Sequence, residues 1–76
     1  MELRHLRYFV AVANERNFTR AAEMLNIAQP PLSRQIRQLE EEMGVELFDR
    51  EARPLRLTEA GRLLHEHAVH VLAGAE

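Results

Sequence analysis

The sequence predicts a mostly α-helical domain that carries one small β-hairpin. Three observations predict it. Apolar residues recur at three- and four-residue steps through most of the chain. Period-two alternation is confined to a short stretch between Val45 and Leu57. Helix-stopping residues stand between the periodic segments. The 76 residues make one domain, and a chain of that size buries only about 60% of the surface it exposes when unfolded. Its core is therefore small.

Leu3, Leu6, Phe9, Val10 and Ala13 form the apolar stripe of a first helix from about Leu3 to Arg16, and Asn17 breaks it. Thr19 is a suitable N-cap for a second, short helix from Arg20 to Leu25, which buries Ala22 and Leu25. Asn26 tolerates the left-handed conformation that ends such a helix, and Ile27 turns back into the core. Pro30 and Pro31 fit the first turn of a third helix, where the missing N–H has no intrahelical partner to lose. Leu32, Ile36, Leu39 and Met43 form its buried stripe, leaving Pro30, Arg34, Arg37 and Glu41 on the opposite side with Ser33 on the flank. Gly44 supplies the stop. A short helix, a three-residue turn and a second helix with Gln, Ser and Arg exposed make a helix-turn-helix. The second helix of that motif can fill the major groove of DNA, N-terminal end first.

Val45 to Arg50 alternates in part and Leu55 to Leu57 cleanly, with Glu51-Ala52-Arg53-Pro54 between them. Two short strands around that loop put Arg53 at the tip of a β wing. Thr58 then caps a last helix with Glu59 in its first turn; the capping box is partial, because Gly61 stands where Glu or Gln would complete it. Leu64, Ala68, Val71 and Ala75 form a second apolar seam, with Leu63 and Leu72 beside it. A helix that long cannot bury itself on so small a core, so the seam is expected to meet the same helix of a second subunit. Its abrupt end suggests a fragment of a longer protein. The whole reads as a winged helix-turn-helix over residues 1–57 followed by a linker or dimerisation helix over residues 58–76.

Charge is segregated along the chain. The net charge is −2, yet no acid lies between Glu23 and Glu40, and Arg50, Arg53 and Arg56 cluster around the hairpin. Glu40-Glu41-Glu42 reads as a solvent-facing run. All ten basic residues are arginine, a side chain that grips guanine or phosphate with two parallel bonds; genomic base composition explains the bias equally well. The absence of cysteine removes disulfides and thiolate metal sites, and no apolar run approaches the roughly 20 residues of a membrane span. A cytoplasmic protein without a membrane partner is expected. His65-Glu66 opens a zinc-protease pattern, but Val69 occupies the place of the second histidine, and His67 with His70 would need ligands from elsewhere. No metal site is expected, and no catalytic constellation is present.

With those residues placed, the chain resembles the N-terminal DNA-binding domain of LysR-type transcriptional regulators. Carrying the resemblance are Leu6-Arg7-Tyr8-Phe9, Phe18-Thr19-Arg20-Ala21-Ala22, Leu25-Asn26-Ile27-Ala28-Gln29-Pro30, Leu32-Ser33-Arg34-Gln35-Ile36, Leu39-Glu40, Gly44, Leu47-Phe48-Asp49-Arg50, and Leu57-Thr58 with Ala60-Gly61. The paired prolines and the opening Met1-Glu2-Leu3-Arg4-His5-Leu6 are most similar to the branch controlling aromatic-compound catabolism.

The resemblance implies a bacterial regulator that binds a double-stranded operator as a dimer, on an inverted repeat. Gln29, Pro30, Ser33 and Arg34 would face the major groove, and Arg53 would enter the minor groove. It implies no cofactor for this domain. It also implies a C-terminal effector-binding domain outside this chain, which senses a small molecule and assembles the regulator as a tetramer. Each residue has a plainer alternative: Arg34 on phosphate, Gln29 as part of the helix cap, Pro30 as helix initiator, Arg53 as an idle exposed charge. Thr19, Arg20, Pro31, Arg37 and Arg50 are candidate phosphate contacts, although Arg20 could pair with Glu23 and Arg50 could be structural. The competing class is a helical adaptor that binds protein, which the acidic net charge favours.

Overall fold

The computed structural model describes residues 2–75, with the side chain of Ala75, one of the expected seam residues, outside that description. The elements run α1 (Leu3–Glu15), α2 (Phe18–Leu25), α3 (Gln29–Met43), β1 (Phe48–Asp49), β2 (Arg56–Leu57) and α4 (Glu59–Ala75). The two strands pair antiparallel, with Phe48 opposite Leu57 and Asp49 opposite Arg56. Four helices and a two-stranded wing are the architecture the sequence predicts.

Local chemistry explains the helix ends. Arg16, at φ 55°, closes α1 in the left-handed conformation, its N–H donating to the Val12 carbonyl at 2.8 Å. Asn17 then caps α2 by accepting the Arg20 N–H at 2.9 Å. The cap is thus Asn17 rather than Thr19, and α2 opens at Phe18; the asparagine that breaks one helix starts the next. Asn26, at φ 60°, ends α2, and the N–H of Ile27 donates to the Ala22 carbonyl, as in a Schellman motif. Gly44, at φ 73°, ends α3 in the same way through Val45 and Glu40.

The core joins every helix to the wing. Phe9 and Val12 of α1, Ala21 and Ala22 of α2, Leu32, Ile36 and Leu39 of α3, Leu47, Phe48 and Leu55 around the wing, and Leu64 and Ala68 of α4 are buried together. Phe48 anchors the wing between Phe9, at 5.4 Å between ring centroids, and Phe18, edge-on at 5.8 Å. Leu25 is only half-buried. Met43, expected in the α3 stripe, is 40% exposed as the last residue of α3. Val45 to Leu47 is not strand: the Leu47 carbonyl accepts the Thr58 N–H in the last cross-strand bond of the wing, while its N–H is taken by Glu40.

α4 departs most from expectation. Leu64 and Ala68 are 8% and 0% exposed within this single chain, packed with α1 in the common core and not left open as a seam. Val71 and Leu72 lie half-buried at the edge of that core. His65 supports the same contact, its Nε2 lying 3.1 Å from Asn14 Oδ1. One core therefore runs across the expected boundary at residue 57. Thr58 caps α4 as expected, accepting the Gly61 N–H at 3.0 Å while its hydroxyl donates to the Glu46 carbonyl at 2.6 Å. The reason for glycine at 61 is steric: a Cβ there would stand 2.1 Å from the Leu47 carbonyl oxygen. Gly61→Ala is expected to destabilise the domain by about 1–3 kcal/mol through this overlap. Gly74→Ala, where a Cβ meets nothing within 4 Å, should leave stability unchanged or raise it by less than about 1 kcal/mol. Paired urea unfolding curves check both.

Candidate nucleic-acid interface

α3 lies with Leu32, Ile36 and Leu39 turned inward and Pro30, Arg34 and Arg37 exposed. Its N-terminal turn is unusual. Of the four backbone N–H groups that a helix start leaves free, those at Pro30 and Pro31 do not exist. What remains at this end is apolar ring surface flanked by side chains, a surface better suited to base edges than to a phosphate. Gln29 and Ser33 are half-buried one turn apart, and the Ser33 hydroxyl donates to Gln29 Oε1 at 2.8 Å.

Between α3, the start of α2 and the wing lies a cleft of about 590 Å³, lined among others by Arg16, Thr19, Ser33, Arg37, Arg50 and Arg53. No acid lines it. The structure therefore brings Thr19, Ser33, Arg37, Arg50 and Arg53 around one concavity, although they come from three separate parts of the sequence. Gln29, Pro30 and Arg34 stand outside it along α3; Arg20 is exposed on α2 and makes no ion pair with Glu23 among the described residues; Pro31 is exposed on the far flank of α3. Arg16 is a cleft residue that sequence reasoning missed. Its signal is the choice of a long cation at a left-handed helix end, where glycine would fit with less strain.

Arg50 is committed elsewhere. Its two terminal nitrogens donate to the two carboxylate oxygens of Glu40, at 2.8 and 3.0 Å, and its guanidinium carbon lies 5.7 Å from the centre of the Phe18 ring. The structural alternative for Arg50 thus has a partner, and Glu40 leaves the solvent-facing run: it is 4% exposed, whereas Glu41 and Glu42 are exposed. Glu40 also accepts the N–H groups of Leu47 and Phe48, at 2.6 and 3.4 Å. A signal for this was present, since Glu40 falls one turn beyond Ile36 and two beyond Leu32, on the inward side. Arg53, at the wing tip, is exposed, and one terminal nitrogen donates back to the carbonyls of Arg50 and Ala52. Arg56 pairs with Asp49 across the strands at 3.3 Å.

Burial by itself pushes the Glu40 carboxyl up; the Arg50 hydrogen bonds and charge, with the Leu47 and Phe48 N–H groups, outweigh it and leave the group below its ordinary 4.5. A carboxyl lowered by folding stabilises the fold above its unfolded value, and that contribution is lost as pH falls through the folded value. Glu40→Gln is therefore expected to cost about 1–3 kcal/mol at neutral pH, because the half-buried Arg50 loses its charged hydrogen-bond partner. The gap from wild type should narrow once the pH drops below about 4.5. Urea midpoints measured from pH 7 down to pH 3 check both magnitude and direction.

Residues 3–62 match the family model described as a bacterial regulatory helix-turn-helix protein, lysR family. The chain is similar to a probable cat1 operon transcriptional activator of Acinetobacter lwoffii, 67% identical over all 76 residues and over 25% of that protein. It is 54% identical over 76 residues to the transcriptional regulator BenM of Acinetobacter baylyi, again 25% of its length. A crystal structure of the BenM DNA-binding domain with catB site 1 DNA superposes with a TM-score of 0.96 at 55% identity, covering 99% of this chain and 83% of that one. The chain thus spans about a quarter of the length of these two curated relatives. They are regulators of transcription and not enzymes. Among the described residues no helix is long and apolar enough to cross a membrane.

Proposed function

The chain belongs to the LysR family of bacterial regulatory helix-turn-helix proteins, as the DNA-binding domain of a transcriptional regulator, and from that premise we propose that it reads an inverted-repeat operator as a two-fold homodimer. The observation that carries the reading is the acid-free, arginine-lined cleft beside the exposed face of α3. α3 enters the major groove by its proline-bearing end, with Gln29, Pro30, Ser33 and Arg34 toward the base edges. Pro30 offers its ring to a thymine methyl, and Arg34 a two-bonded grip on guanine. Thr19, Arg20, Pro31 and Arg37 flank the phosphate backbone, and Arg16 joins them from the cleft. Arg50 serves by holding Glu40. Arg53 reaches the minor groove once its guanidinium swings off the wing carbonyls, and there it reads groove width rather than base identity.

The dimer forms through α4, but not on the seam that sequence periodicity marks. Leu64 and Ala68 are already used by the core, whereas Leu63 and Val69 are 54% and 45% exposed. They lie on the outward side of α4, which exposed Glu66, His70 and Ala73 share, and this is the face offered to the second subunit. Val71 and Leu72 contribute their exposed halves. Residues beyond this chain supply an effector-binding domain that answers to a small molecule and completes a tetramer. The site of action is the bacterial cytoplasm.

Anisotropy titrations against randomised duplexes over a salt series, with sequencing of the bound fraction, test the proposal. An enriched inverted repeat and a negative salt slope are expected; a protein that binds no duplex at low salt is an adaptor instead. Arg34→Ala should cost about 1–3 kcal/mol on the selected site and relax preference at one base pair. Arg37→Ala should weaken all duplexes alike and lower the salt slope by about 1. Leu63→Glu should shift the sedimentation equilibrium toward monomer without changing helix content; an unchanged dimer would refute the outward face as the interface.

A further inference from the structure

Gln29 has more freedom than its task allows. Its carboxamide carries a donor at one corner and an acceptor at the other, and rotation by half a turn exchanges them. Base edges differ in the order of donor and acceptor, so an amide free to turn discriminates poorly. In this structure it is held: the Ser33 hydroxyl, one helical turn on, donates its single proton to Gln29 Oε1 at 2.8 Å. Both side chains are half-buried. Serine and glutamine four residues apart on a helix lie on one side of it, so the bond forms without distorting either.

We propose that Ser33 is a positioning residue, setting DNA specificity through the orientation of the Gln29 amide and not by touching a base. This rests on the DNA-reading function proposed above. With Oε1 bound to Ser33, the two N–H bonds of Nε2 point away from Ser33, and the second lone pair of Oε1 stays open. The pair therefore presents a fixed donor with an acceptor beside it, the order that matches N7 and the N6 amino group of adenine. Holding the amide before DNA arrives also removes rotamer freedom that binding would otherwise have to remove. The serine hydroxyl, its proton already committed, has no donor left for a base.

Two measurements decide it. In the free protein, 15N relaxation of the Gln29 side-chain amide should show it more ordered in wild type than in Ser33→Ala, with order restored in Ser33→Thr, which keeps the hydroxyl. Equal mobility in all three overturns the clamp whatever DNA does. In sequencing of selected duplexes, Ser33→Ala should lose roughly tenfold discrimination, at the same base pair that Gln29→Ala loses. The double variant should lose no more than Gln29→Ala alone. Loss at a different base pair, additive losses, or full retention by Ser33→Ala overturns the proposal. A wild-type protein that enriches no sequence refutes the DNA-reading function itself, and the amide relaxation still judges the clamp. Thermal melting of the variants separates these outcomes from unfolding.

Discussion

The ion pair between Glu40 and Arg50 holds α3 and the wing in register. Taking a carboxylate out of water is costly unless its lone pairs are filled, and here they are filled by two guanidinium nitrogens and two backbone N–H groups. Those donors come from Leu47, Phe48 and Arg50, which precede, open and follow β1. The acceptor sits in the last turns of α3, and Arg50 also lies over Phe18 at the start of α2. One carboxylate therefore fixes the distance between three elements, and the cleft that Arg37, Thr19 and Arg53 line is the space they enclose. A hydrophobic contact of the same area would hold the elements together without specifying the angle, since apolar attraction has no direction.

A second constraint closes the other side of the domain. Gly61 lets the first turn of α4 settle on the Leu47 carbonyl, while Thr58 joins that turn to the backbone at Glu46 and Leu47. Leu47 is thus held from both sides, by Glu40 through its N–H and by Thr58 through its carbonyl. With α4 docked against α1 and the aromatic trio of Phe9, Phe18 and Phe48 packed beneath the wing, each helix has one side in the common core. This explains how a chain with a net charge of −2 can present a locally positive surface: the core fixes which side of each helix is seen, and Arg16, Arg37, Arg50 and Arg53 line one cleft.

How far the fold was legible depended on the range of the interaction. The helix stops at Asn26 and Gly44 could be read because a left-handed cap is a property of the residue itself. The stripe Leu32, Ile36, Leu39 could be read because helical period alone puts those residues on one side. The start of α2 was displaced because Asn17 and Thr19 have nearly equal capping ability, and the choice fell to the turn that Arg16 makes. Among the interface residues, the exposed set on α3 was legible from period. Arg16 was not, since nothing local brings the end of α1 beside the wing.

By itself the sequence determined the number of helices, the hairpin, the loop that bears Arg53 and the residues α3 turns outward, because each follows from spacing or from the backbone preference of single residues. Only the tertiary structure decided the fate of residues that could serve two neighbours. Glu40 went inward because Arg50 arrives to neutralise it, Leu64 and Ala68 went to α1 instead of a second subunit, and Gly61 proved to be a contact rather than a failed cap. The physical reason is common to all three. Periodicity fixes which side chains share a face, but what covers that face, and whether a charge can be stripped of water there, depends on elements distant in the chain.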